Sequence, residues 1–154
     1  MTYLRRRCEL PSINNLESMR EWLRTCPLLS NELRFRADFI AENPTEYSIL
    51  ETPSTIRYTE NVLGEMVLAD IQNLNYTFMC RDRYGSDVVQ NIENAGFYQD
   101  IVRWIQDQTI ARNFPKISAG EVIAVNPTLT PFYSEINPTS AIYQIQIQVQ
   151  YKRH

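Results

Sequence analysis

The sequence predicts an α+β fold, a mostly antiparallel sheet with an N-terminal helix and a central helix on one face, and three observations carry that expectation. Its C-terminal stretch alternates strictly, with Tyr143, Ile145, Ile147, Val149 and Tyr151 on one side and Gln144, Gln146, Gln148, Gln150 and Lys152 on the other. That is the period of a long strand with one wet face. Two other stretches, within 15–26 and 86–109, repeat apolar residues at helical spacing instead. The segments then follow one another as helix, strands, helix, strands, an order that segregates the helices to one side of the sheet.

Each element has its own signal. Asn15 stands before Leu16, Met19, Leu23 and Cys26, with Trp22 widening the stripe, so an N-capped amphipathic helix should run until Pro27. Leu33, Phe35, Ala37 and Phe39 alternate with Arg34, Arg36 and Asp38 as a half-buried strand, and Asn43-Pro44 turns the chain. A second short strand includes Tyr47 and Ile49, and a weaker extended piece spans Ile56 to Thr59. From Glu65 to Arg81 the chain lacks Gly and Pro and is rich in β-formers, which reads as one long strand, with Asp70 to Asn75 bulged or projecting beyond the core. After the Tyr84-Gly85 turn, Val88, Val89, Ile92, Ala95, Phe97, Ile101, Trp104 and Ile105 keep helical spacing through 86–109, as two short helices or one bent near Gly96. A short strand at Glu121 to Val125 precedes a proline-bearing connection, 127–138, that is expected to be a long loop.

The 154 residues are 44% hydrophobic and 21% charged, enough for a single domain over 1–154 with a core that needs no disulfide or structural metal. Residues 1–11 read as a flexible arm carrying Arg5, Arg6 and Arg7, a cluster that is a solvated arm or a contact for an acidic partner. No apolar core follows those arginines, so no signal peptide is expected. The longest apolar runs, such as Met66 to Ala69, are far short of a membrane span. The net charge of −3, with 15 basic against 18 acidic residues, is not that of a typical nucleic-acid binder. Cys8, Cys26 and Cys80 are too dispersed for a disulfide framework or a zinc site and read as reduced thiols.

Catalytic arrangements are scarce. The single histidine is His154, so Ser-His-Asp, Cys-His and multi-histidine metal sites cannot be assembled, and the four glycines form no phosphate-binding loop. The carboxylate pairs Glu42/Glu46 and Asp82/Asp87 flank turns or helix starts, where acidic residues serve capping alone. The expectation is a protein that is not an enzyme, with no catalytic, cofactor-binding or metal-ligating residues and no cofactor.

Three features remain as candidate contact sites. The row Gln144, Gln146, Gln148, Gln150 lacks the Lys and Glu usual on a solvated sheet face, so it reads as a solvated face, a subunit contact, or a channel wall past which a polyanion slides without sticking. Leu129, Phe132, Tyr133 and Ile136 give the 127–138 segment apolar side chains with which a projecting loop could dock. Tyr76, Phe78, Arg81 and Arg83 at a strand end read as core or, on the alternative reading, as a stacking site for single-stranded nucleic acid.

The segments MREWLRTCPLL (Met19 to Leu29), PTEYSIL (Pro44 to Leu50), RYGSDVVQNIENAGFYQDIVRWIQDQ (Arg83 to Gln108) and YQIQIQVQYKR (Tyr143 to Arg153) resemble, in that order, the minor capsid or tail-terminator-like proteins of tailed phages and prophages of Gram-positive bacteria. The most specific part is Tyr84-Gly85 followed by Asn91 to Tyr98 and then Trp104-Ile105. The resemblance implies a non-enzymatic virion protein, present in the host cytoplasm during assembly. It would form a closed ring, a homohexamer, on the head-proximal end of a tail tube. Its partners would be itself, the tail tube protein and neck or head-completion proteins, with DNA passing through the ring without sequence-specific binding and no membrane contact. A neck or head-completion protein is the alternative within that class, and a nucleic-acid-binding module the alternative outside it. Because no large apolar patch is visible in the sequence, the ring contact is expected to be strand pairing with polar contacts, weak without a template.

Overall fold

The computed structural model describes residues 15–29, 35–37, 46–83, 88–128, 132–136 and 140–154. Helix α1 (Asn15–Arg24) buries Met19, Trp22 and Leu23 and ends in a turn before Pro27. The expected cap residue does something else with its side chain: Asn15 Oδ1 accepts hydrogen bonds from Ser118 N at 2.9 Å and Ser118 Oγ at 3.2 Å, tying the helix start to the segment before β6 (Gly120–Pro127). The central helix α2 (Val88–Ala111) runs unbroken through Gly96, so of the two expected alternatives, two short helices or one, the single helix is found. A helix can carry one glycine at a cost of about 1 kcal/mol, and here packing over six turns outweighs it.

The main sheet has six strands: β1 (Phe35–Ala37), β2 (Glu46–Thr52), β5 (Ile71–Arg83), β8 (Ser140–Arg153) and β6 lie in that order, and β7 (Phe132–Ile136) also pairs with β8. Its pairs are antiparallel except β1 with β2, which is parallel. The α+β class with a mostly antiparallel sheet therefore holds, and both helices pack on one face of it. On that face Tyr47, Ile49, Tyr76, Phe78, Cys80, Tyr143, Ile145, Ile147 and Val149 meet Met19, Leu23, Tyr98, Ile101 and Ile105. The Trp22 and Trp104 rings lie 5.0 Å apart between the two helices, and Trp22 Nε1 donates to Asn113 O at 2.9 Å. Tyr98 stacks on Tyr143 at 4.2 Å and donates to Asp82 Oδ2 at 3.3 Å, so this helical aromatic joins α2 to both long central strands.

Two expectations fail. The long strand from Glu65 is two strands: β4 (Met66–Leu68) turns back to pair with β3 (Tyr58–Glu60) as a separate two-stranded sheet, and β5 starts only at Ile71. Uninterrupted β-propensity does not locate a break that tertiary contacts impose. Nor is 127–138 a structureless loop. Within it Phe132–Ile136 form β7, which follows β6 along the same side of β8, with Phe132 opposite Gln144 and Ile136 opposite Ala141. An edge position, where one row of backbone groups needs no strand partner, is where a sheet tolerates the flanking prolines.

The β6 edge is also covered. Thr109 of α2 donates its hydroxyl to Val125 O at 2.6 Å and accepts from Val125 N at 3.1 Å, satisfying backbone groups that an edge strand would otherwise offer to another chain. Gly120 is required by close approach, since a Cβ there would fall 2.1 Å from the Lys152 carbonyl oxygen.

Candidate interaction surfaces

The sheet face opposite the helices carries the glutamine row. In register across the strands, Thr52 stands opposite Asn75, Asn75 opposite Gln148, and Gln148 opposite Asn126. The neighbouring rows place Thr77 between Leu50 and Gln146, and Asn73 beside Gln150. Gln144, Gln146, Gln148 and Gln150 are all half-buried, as are Asn73, Asn75 and Thr52. The row is thus the middle of a wider band of amides and hydroxyls across β2, β5, β8 and β6. Charge stands at its two ends, with Arg81 at one and the opposed pair Glu121 and Lys152 at the other.

Within the band the amides bond locally. Asn75 Nδ2 donates to Pro53 O at 3.1 Å, and Gln144 Nε2 contacts Met79 Sδ at 3.6 Å. Toward the Arg81 end the face becomes buried, with Met79, Ile142, Ser140 and Ser48 all inaccessible or nearly so.

Other sequence candidates fare differently. Tyr76 and Phe78 lie in the core, and Arg81 is 6% exposed with its guanidinium donating to Ser140 Oγ at 3.2 Å, so they form no stacking platform for a nucleic acid. Of the 127–138 residues proposed for docking, Leu129 lies outside the described residues, Phe132 and Tyr133 belong to β7, and Ile136 is exposed beside Ala141. Arg5, Arg6 and Arg7 lie outside the described residues, as do Cys8, Glu42 and Asp87. Cys26 and Cys80 are free and buried; burial pushes the Cys26 thiol above its ordinary pKa, against smaller opposing hydrogen bonds at the Leu28 and Leu29 backbone. No described helix is long and apolar enough to cross a membrane.

The surface that sequence reasoning missed is the β3–β4 hairpin. Ile56, Tyr58, Val62, Leu63 and Met66 are each more than half exposed, and Val62 is fully so. This is the apolar patch expected to be absent. Its base is fastened by one buried amide: Gln72 Oε1 accepts from Arg57 N at 3.0 Å, while Gln72 Nε2 donates to Arg57 O at 2.8 Å and Ala69 O at 2.9 Å. One sequence signal marks the hairpin, the Asn61-x-x-Gly64 spacing between two β-forming runs.

Compared with known proteins, the chain matches no family model and no curated protein at significance.

Proposed function

We propose that this chain is a structural virion subunit that closes as a ring on the head-proximal end of a phage tail tube, stops tube growth and offers the surface to which the head or neck attaches. The observation that carries this reading is the uncharged amide-and-hydroxyl band centred on Gln144, Gln146, Gln148 and Gln150. A basic wall would bind a passing polyanion at each phosphate, and an acidic one would repel it; a neutral polar wall does neither. The ring is built on a sheet with one side packed by helices, so that the partly exposed band, Gln146, Gln148 and Gln150 with Asn73 and Asn75, is the part that faces a central passage. Tube termination needs no reacting group, and the residues that remain for function are contact surfaces.

The reading is tested by removing the gene from a phage or prophage that carries it and examining the particles by electron microscopy. Overlong or headless tails, restored to uniform length by the gene in trans, together with antibody label at the head-proximal tail end, are expected. Tails of normal length beside unjoined heads would replace the tube terminator by a neck protein. Normal infectious particles would overturn both.

A further inference from the structure

The hairpin tip is built, not loose. Asn61 Oδ1 accepts from Leu63 N at 2.9 Å and Glu65 N at 3.0 Å, Gly64 N donates to Asn61 O at 3.0 Å, and Asn61 N donates to Glu65 O at 2.9 Å. Gly64 takes the left-handed conformation with φ 80°, which a side chain would resist. With the Gln72 clamp at the base, this makes a rigid stalk. At its end Val62 and Leu63, 102% and 77% exposed, are flanked by the exposed carboxylates Glu60 and Glu65. Turn tips are normally polar, so two adjacent aliphatic residues held there in water mark a contact made with another molecule.

The same chain carries a surface of opposite character. Between the end of α2 and the start of β6, the half-buried Phe114 lies over the buried Pro115 and Ile117 in an open groove lined also by Arg112, Lys116 and Glu121. Arg112 and Lys116 are exposed, and Arg112 is held at φ 58°. Its N–H donates to Thr109 O at 3.2 Å and the next N–H, of Asn113, to Gln108 O at 3.0 Å, which is the helix-ending motif that ordinarily takes glycine at the Arg112 position. An arginine kept in a conformation that costs it stability, at the edge of an apolar groove, points to use of its charge.

Hairpin and groove lie at the same end of the sheet on the two flanks of β8: Ile71 stands opposite Lys152 and Lys152 opposite Glu121, Arg153 N donates to Asp70 O at 2.8 Å at the hairpin base, and His154 lines the groove. We infer that the hairpin of one copy docks in the groove of a second copy, Val62 and Leu63 against Phe114, Glu60 and Glu65 against Arg112 and Lys116. Such a contact joins unlike surfaces, and successive copies close into a ring when the rotation between them divides a full turn without a rise along its axis. The inference rests on the ring reading above and supplies its subunit contact.

The test uses the full chain in two variants, Val62→Ser with Leu63→Ser, which removes the hairpin surface, and Arg112→Glu with Lys116→Glu, which reverses the groove. Sedimentation velocity at high protein concentration should show a concentration-dependent oligomer for the native chain and monomers for each variant, with circular dichroism unchanged. An equimolar mixture of the two variants should give a dimer and nothing larger, because one intact hairpin meets one intact groove and the chain of contacts stops there. Adding Glu60→Lys and Glu65→Lys to the groove variant should restore the native oligomer. A native chain that stays monomeric, variants that still assemble, or a mixture without dimer would each overturn the hairpin contact. Tail termination is scored separately on particles: abnormal tails on gene deletion but native-length tails with the Val62→Ser, Leu63→Ser chain would overturn this contact and leave the tail reading standing, whereas hairpin-dependent oligomers in sedimentation with normal tails on gene deletion would do the reverse.

Discussion

Replacing Gln72 by methionine keeps the length of the side chain and removes the amide that joins both ends of the hairpin. Three hydrogen bonds are lost, two to Arg57 and one to Ala69. The Arg57 carbonyl keeps its bond from Ala69 N at 3.0 Å, so the groups left wanting are the Arg57 N–H and the Ala69 carbonyl. Neutral hydrogen bonds contribute about 1 kcal/mol each, and these partners sit at the foot of an exposed hairpin where water replaces part of what is lost, so the cost is about 1–2 kcal/mol. Because β3 and β4 pair with each other and with no other described strand, that cost falls on local opening and not on the main sheet. Converted at a factor of ten per 1.4 kcal/mol, amide exchange at Asn61, Gly64 and Ala69 should quicken roughly 5- to 30-fold. Hydrogen exchange followed by mass spectrometry or NMR reads this directly, with Phe78 and Ile147 in the core of the sheet as unchanged controls. Equal acceleration in both regions would show that Gln72 supports the whole fold, and no acceleration would show that the hairpin needs no clamp; either result refutes the rigid stalk.

Gly96→Ala should stabilise the protein by about 0.5–1 kcal/mol, seen as a higher melting temperature, because an added Cβ meets nothing within 4 Å in the middle of α2. Tyr76→Phe should be neutral or stabilising by up to about 1 kcal/mol in urea melts, since the hydroxyl it removes is buried without a partner among the described residues. Burial, with the nearby Glu51 for Tyr76 and with Cys80 and Asp82 for Tyr98, holds both phenols protonated well above their ordinary value. The folded chain therefore keeps protons that the unfolded chain releases, so stability is full below about pH 10 and falls above it by about 1.4 kcal/mol per pH unit for each such tyrosine, a slope from which Tyr76→Phe should remove one tyrosine's share. Gln146→Lys with Gln148→Lys should cost no more than about 1 kcal/mol, the long stems covering the band while the charges reach water, and should let particles assemble but slow DNA passage; a much larger loss in thermal melts would show that the band is closed to solvent. Arg112→Gly should stabilise the monomer by up to about 1 kcal/mol in chemical denaturation while weakening self-association; loss of monomer stability instead would mean that Arg112 serves the fold.

Strands and helices whose partners are local in period were legible from the sequence, and those defined by a distant partner were not. β8 declares itself because one face is apolar from Ala141 to Tyr151, and α1 because its stripe is backed by polar residues. α2 is recognised by spacing but not by contrast: Val89, Ile92 and Ile110 are exposed on it, so apolar residues lie on both sides, and only the packed structure tells which belong to the core. The glutamine row was visible through the charges it lacks, whereas its widening by Asn73, Asn75, Thr52 and Asn126 depends on cross-strand register between segments scores of residues apart, which no local pattern encodes.

The hairpin was hidden for a related reason. Residues 65–81 have strand propensity throughout, and what divides them is a side chain, Gln72, reaching back to Arg57 across fifteen positions of sequence. Both halves of the proposed contact break a local rule, Val62 and Leu63 by being aliphatic at a turn tip and Arg112 by occupying a glycine conformation. Such violations lower the stability of the lone subunit, and a folded chain retains them where another molecule removes the cost: burying the tip recovers the hydrophobic free energy, and pairing the arginine uses the charge that a glycine could not supply. The glutamine face keeps the alternation of its strand and the hairpin tip breaks the chemistry of its turn, which is the difference that the proposed passage wall and the proposed subunit contact require.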